Sequence, residues 1–147
     1  FGKYIWFWKR IKSRFATFAP QTHEIISEQT VYKMVYMLRN VVDHGTGVRT
    51  RLRYGLKMPM GGKTGTSQNN SDGWFMGFTP SLVNGCWVGG EDRAIHFDSM
   101  ADGQGANTSL PIVALYLQKV LADEELGYSE DEQFDIPSWF DPNAGCR

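Results

Sequence analysis

Between Glu28 and His44, apolar residues return every three or four positions: Val31, Met34, Val35, Leu38, Val41 and Val42. That spacing predicts an amphipathic helix over 28–44. Ser27 is placed to cap its start, and Glu28 suits the positive end of the helix dipole. Gly45 is placed to close it, because glycine accepts the left-handed conformation that ends a helix. From Met60 the pattern becomes that of short strands. The sequence predicts strands over Met60–Ser67, Trp74–Thr79 and Leu82–Val88. Gln68-Asn69-Asn70-Ser71-Asp72 and Pro80-Ser81 supply turn chemistry between them, and Gly89-Gly90 breaks the third. Glu91–Gly105 reads as a polar loop. A second helix follows over Ile112–Leu121, with Ser109 as cap and Pro111 in the first turn.

Two stretches are less regular. In 46–59, Val48, Thr50, Leu52 and Tyr54 alternate with Arg49, Arg51 and Arg53, a strand period, while Val48 and Leu52 also suit a short helix. Phe1–Pro20 is aromatic and β-branched and predicts one or two strands, stopped by Pro20. The fold class is α+β: an antiparallel meander with flanking helices and no internal repeat.

Composition changes the picture in three ways. The chain has 147 residues, 41% hydrophobic and 21% charged, which suits a folded domain rather than a disordered one. Its formal net charge is −1, which argues against a nucleic-acid partner. Charge is nevertheless uneven. Lys3, Lys9, Arg10, Lys12 and Arg14 crowd the start, and Asp123, Glu124, Glu125, Glu130, Asp131, Glu132, Asp135 and Asp141 crowd the end. Solvated ends explain this most simply. The rival reading is a partner-binding tail anchored by Phe134, Ile136, Trp139 and Phe140.

No stretch approaches the roughly 20 apolar residues of a membrane helix. The chain begins with Phe1, and the expectation is a piece of a longer protein. Cys86 and Cys146 lack metal or redox spacing, and Cys86 falls in an apolar run as a small buried hydrophobe. His96 with Asp92 and Asp98 reads as a solvated loop, without recognised ligand spacing. His23 and His44 read as surface residues at element ends. The sequence implies no metal and no cofactor.

The chemistry concentrates in Gly61-Gly62-Lys63-Thr64-Gly65-Thr66-Ser67. Lys63 supplies a fixed positive charge. Thr64 and Thr66 share one strand face, because side chains alternate with period two, and their hydroxyls can donate to a carboxylate. Gly65 carries no side chain, so a peptide backbone can lie against the strand. A phosphate loop is excluded by spacing: its pattern needs glycine where this chain has Lys57. On the following strand Trp74 and Phe75 point to opposite faces, one to the core and the other free to line a cleft.

These residues resemble the third motif of serine penicillin-recognising enzymes. Val41-Val42-Asp43-His44-Gly45-Thr46-Gly47, Asn70-Ser71-Asp72-Gly73-Trp74-Phe75-Met76-Gly77-Phe78-Thr79-Pro80 and Cys86-Trp87-Val88-Gly89-Gly90-Glu91-Asp92-Arg93 extend the resemblance to the class A penicillin-binding proteins, from Ile26 to Val120.

The resemblance implies part of a β-lactamase/transpeptidase-like fold and a peptidoglycan D,D-transpeptidase acylated by β-lactams. It implies catalytic roles for Lys63, Thr64, Gly65 and Thr66, with Thr64 and Thr66 on the substrate carboxylate and the Thr66 N–H in the oxyanion hole. Ser67 and Trp74 would contact substrate. The partners implied are the D-Ala-D-Ala stem peptide, β-lactams and the missing N-terminal half of the domain. The implied location is the extracytoplasmic face of a bacterial inner membrane, held by an anchor outside this chain.

One departure is decisive for activity. The family's nucleophile lies in Ser-x-x-Lys, and no serine here has lysine three residues on. Thr30-Val31-Tyr32-Lys33 has the spacing with threonine, on a helix read as core. Ser67-Gln68-Asn69 matches a Ser-x-Asn motif by letters but follows the lysine motif instead of preceding it.

The expected organisation is an N-terminal segment 1–25, the C-terminal half of a transpeptidase domain over 26–122, and an acidic tail over 123–147. Such a piece is expected to be inactive alone and open to self-association through uncovered apolar surface. The rival functions are a serine β-lactamase or carboxypeptidase, which share Lys-Thr-Gly, and a non-catalytic assembly module.

Overall fold

A computed structural model of the chain describes residues 26–141. The strands expected in Phe1–Pro20, His23 and Cys146 lie outside the described residues. The elements in order are α1 (Glu28–Asp43), α2 (Arg49–Leu52), β1 (Gly61–Thr66), β2 (Asp72–Phe78), β3 (Val83–Gly89), α3 (Met100–Gly103) and α4 (Ser109–Ala122). Short 3-10 turns occupy Gln68–Asn70 and Glu124–Leu126.

Helix α1 starts as its sequence predicts. The Ser27 hydroxyl accepts from the Thr30 N–H and bonds the Thr30 hydroxyl at 2.9 Å. Its end differs from expectation. Gly45 does not take up a left-handed conformation; among the described glycines Gly55 and Gly127 do. Gly45 is needed for closeness, since a Cβ there would lie 3.0 Å from the Val41 backbone.

The ambiguous stretch resolves as the short helix α2. A strand would have set Thr50 and Leu52 on one face. Instead Thr50 is fully buried, its hydroxyl donating to Gly47 O at 2.8 Å, and Leu52 is 81% exposed. Arg51 fastens the region. Its guanidinium pairs with Asp43 Oδ1 at 2.8 Å and donates to Leu56 O and Met58 O at 2.7 and 2.6 Å.

The sheet runs β1-β2-β3, antiparallel throughout. Thr64, Phe75 and Cys86 sit side by side on one face. Lys63, Met76 and Gly85 do so on the other, as do Gly65, Trp74 and Trp87. The Thr64 face is the closed one. Phe75 is fully buried with Leu110, Val113, Ala114 and Leu117 of α4, and with Val42, Leu56, Met58 and Met60. Cys86 is half-buried against this cluster. Helix α4 begins at Ser109 rather than being capped by it, and the buried Ser109 hydroxyl donates to Gly73 O at 2.5 Å. The opposite face is open, with Trp74 and Trp87 each 45% exposed.

Two further findings depart from the sequence reading. Among the described residues α1 buries Val42 fully, while Val31, Met34 and Met37 are exposed. The acidic tail is not simply solvated: Phe134 packs edge-on to Phe78 and under Arg39, and Tyr32 meets Trp139 and Phe140. The Ser81 hydroxyl donates to the Glu132 carboxylate.

The two faces predict opposite costs of truncation. Phe75→Ala should destabilise the chain by about 3–5 kcal/mol, through lost burial and the cavity left behind. Met76→Ala, on the open face, should change stability by about 0.5 kcal/mol or less. Urea midpoints of the two variants check this, and a reversed order would contradict the assignment of faces.

Candidate active site

β1 is an edge strand: β2 pairs with one side, and no strand among the described residues pairs with the other. Such an edge presents free backbone donors and acceptors along its length. Thr64 and Thr66 share the closed face of the sheet, as their spacing predicts. Thr64 is half-buried and Thr66 is exposed at the end of the strand. A Cβ on Gly65 would touch Trp74 Cβ at 3.3 Å and nothing else within 4 Å, so the sheet face opposite Thr64 and Thr66 is open there.

Each hydroxyl is held from behind. Thr64 Oγ1 lies 2.8 Å from the hydroxyl of Thr46, on the bend after α1. Thr66 Oγ1 accepts the Gly105 N–H at 3.2 Å. The Gly105 backbone lies so close to Gly65 O and Trp74 O that no side chain fits at that position. Lys63 stands on the opposite face. It is exposed, and its ammonium donates to Thr64 O at 2.7 Å.

A carboxylate that the sequence reading assigned to a turn organises the end of this strand. Asp72 is the first residue of β2. Its Oδ2 accepts from the Ser67 hydroxyl at 2.7 Å and the Ser71 hydroxyl at 3.3 Å, and its Oδ1 accepts from the Trp87 indole N–H at 2.9 Å. Backbone bonds complete the closure: Ser67 N–H to Asp72 O at 3.0 Å, and Asp72 N–H to Ser67 Oγ at 2.9 Å. The Ser67 hydrogen bond and then the Trp87 indole, with smaller help from Ser71 and the Arg93 charge, hold the Asp72 carboxyl below the usual carboxylate range. Between them Asn69 and Asn70 take left-handed conformations, which asparagine tolerates.

Ser67 therefore spends its hydroxyl proton within the hairpin, which weighs against a direct substrate contact through that group. Trp74 and Phe75 are now distinguished: Phe75 is core, and Trp74 lies on the open face beside Trp87, ring centroids 6.3 Å apart. In sequence Asp72 is an acid at the end of a turn and Thr46 a hydroxyl between two glycines. Neither spacing names its partner.

The other candidates stand apart. A cavity of about 240 Å³ lined by Ser71, Val88, Ile95, His96 and Phe97 takes in none of the motif side chains. Asp92 accepts the Ala94 N–H, and His96 Nδ1 lies by Phe97 O. No group of three or more metal-binding side chains occurs among the described residues. The Thr30 hydroxyl is taken up in capping α1.

The fold and the motif strand together define a transpeptidase domain of the penicillin-recognising type. Residues 3–90 match the family described as the penicillin binding protein transpeptidase domain, and the chain belongs to that family. Its relatives include penicillin-binding protein 1A of Pseudomonas aeruginosa, 32% identical over 131 residues, covering 88% of this chain and 15% of that protein. Penicillin-binding protein 1A of Aquifex aeolicus is 32% identical over 118 residues, covering 80% of this chain and 15% of the relative. Penicillin-binding protein 1B of Escherichia coli is 36% identical over 74 residues, covering 50% and 9%. The crystal structure of penicillin-binding protein 1A from Haemophilus influenzae shares the fold, with a TM-score of 0.67 over 84% of this chain and 18% of that one, at 22% identity. The chain thus spans about 15% of the length of these 1A relatives from Pseudomonas and Aquifex.

Because the folded-state Asp72 value is lowered, its contribution is present above the ordinary carboxylate value of 3.8 and lost as pH falls through the folded value. Asp72→Asn should therefore be less stable than wild type near neutral pH, with the gap narrowing in acid. Urea midpoints across that range test this, and parallel curves would contradict the role given to the charge.

Proposed function

We propose that this chain forms the Lys-Thr-Gly wall of a peptidoglycan D,D-transpeptidase site. The observation that carries the reading is an edge strand bearing two hydroxyls on one face, Thr64 2.8 Å from the Thr46 hydroxyl and Thr66 accepting the Gly105 N–H at 3.2 Å. Thr64 and Thr66 bind the terminal carboxylate of a D-Ala-D-Ala stem peptide, or that of a β-lactam. Lys63 supplies positive charge. Gly65 lets the peptide lie along the strand. The Thr66 N–H is one of the oxyanion donors, a role whose loss typically costs on the order of 3 kcal/mol of transition-state stabilisation. Trp74 stands beside Gly65 on the sheet face opposite Thr64 and Thr66, and Ser67 contributes through the turn it locks with Asp72.

The nucleophile comes from a Ser-x-x-Lys segment outside this chain. The serine oxygen bonds to the penultimate D-Ala carbonyl carbon as the amide to the terminal D-Ala breaks, and the serine proton leaves with the departing amine. An amine of a second stem peptide then displaces the serine. This chain alone lacks that step and is inactive.

The rest of the domain covers what 26–122 leaves open: the sheet face of Trp74, Met76 and Trp87, and the α1 stripe of Val31, Met34 and Met37, all exposed here. Without that cover, association between copies is the alternative way to bury them. The tail from 123 packs on α1 and β2, and residues 3–25 fall within the stretch that matches the family. The domain works outside the cytoplasm at a bacterial inner membrane. No helix among the described residues is long and apolar enough to cross one, and the anchor is assigned to another segment.

Intact mass after incubation with a penicillin tests the proposal. The full-length protein should gain one covalent penicillin, and Lys63→Ala in it should acylate at least about tenfold more slowly. This chain alone should gain nothing. A stoichiometric adduct on the isolated chain would place the nucleophile within these residues and overturn the reading.

A further inference from the structure

Thr46 is absent from the motif, yet its hydroxyl is the group in contact with Thr64. The two oxygens lie 2.8 Å apart across 18 residues of sequence. The bend that presents Thr46 is built tightly. Gly45 N–H and Gly47 N–H both donate to Val41 O, at 3.1 and 2.9 Å. A Cβ at Gly45 would stand 3.0 Å from Val41 Cα and O, and one at Gly47 would stand 3.1 Å from Val41 O and 3.2 Å from Val42 Cα. Val48 N–H returns to Gly45 O at 3.1 Å, and Thr50 N–H returns to Gly47 O at 3.0 Å. Val42 and Thr50 on either side are fully buried. Thr46 is therefore an exposed side chain on a turn fixed to the core.

A hydroxyl has one proton and two lone pairs, whereas a carboxylate only accepts. To bind a carboxylate, Thr64 must turn its proton toward it. The contact with Thr46 then survives only if Thr46 donates. Accepting that bond also polarises the Thr64 hydroxyl and strengthens it as a donor. Thr66 receives the same support from Gly105 N–H. The two hydroxyls of the motif strand are thus backed by a side chain in one case and by the main chain in the other, and substitution can remove the first without touching the strand.

We infer that Thr46 is a positioning residue of the carboxylate site, donating its hydroxyl proton to Thr64 Oγ1 so that the Thr64 proton faces the ligand. This rests on the transpeptidase reading above. Thr46 acts through Thr64 and touches no reacting atom.

The test measures second-order acylation of the full-length protein by benzylpenicillin and by its methyl ester, which lacks the anionic carboxylate. Variants are Thr46→Val, which keeps the branched shape, and Thr46→Ser, which keeps the hydroxyl. Thr46→Val should lose about tenfold with the acid and less than about twofold with the ester, a hydrogen bond to a charged group being the part removed. Thr46→Ser should recover to within about threefold of wild type with the acid. Equal losses with acid and ester would make Thr46 merely structural and overturn the inference, as would an unchanged rate in Thr46→Val. Wild-type protein that takes no penicillin would instead overturn the transpeptidase reading, and the inference with it.

Discussion

A strand that is to bind a ligand along its edge, as proposed for β1, must hold its shape with hydrogen bonds on one side only. β1 meets that constraint through bracing at three places. The β2 ladder fixes its inner side. The Asp72 carboxylate ties the turn after Thr66 to β3 through Trp87. Thr46 and the Gly105 backbone fix the two hydroxyls. None of these braces pairs a second strand with the outer edge of β1 among the described residues. Close approach explains the glycines around the strand. A chain segment pressed against the sheet at Gly105 has no room for a Cβ, and at Gly45 and Gly47, wrapped round the end of α1, a Cβ would be in tight contact with the helix backbone.

The second dependence is on burial. The sheet has one closed face, where Phe75 meets α4, and one open face with Trp74, Met76 and Trp87. An apolar face left open on a folded unit marks a surface that something else covers. The chain spans about 15% of the 1A relatives from Pseudomonas and Aquifex, and the occupant proposed for this face is the remainder of the domain. Helix α1 fits the same account. Its apolar stripe at Val31, Met34 and Met37 is exposed, while its C-terminal end at Val42 is locked into the core.

Much of this was legible in sequence where one local rule governs. The period of α1, the alternation that puts Thr64 and Thr66 on one face, and the meander with its turns all follow from side-chain geometry. What sequence did not carry was the choice between equivalent outcomes set by distant partners. Period two separates Trp74 from Phe75, but α4 decides which is inside. The arginines of 46–59 alternate like a strand, but Arg51 is committed to Asp43, Leu56 O and Met58 O, and that fixes a helical turn. The contacts of Thr46 and Asp72 become visible only when the fold brings 46 to 64 and 72 to 87.

The most direct measurement is a crystal structure of the full-length protein acylated by a penicillin. The account predicts the ligand carboxylate within about 2.6–3.2 Å of both Thr64 and Thr66 hydroxyls, with the covalent bond to a serine outside these 147 residues. A carboxylate held elsewhere, or an adduct on a residue of this chain, would contradict it.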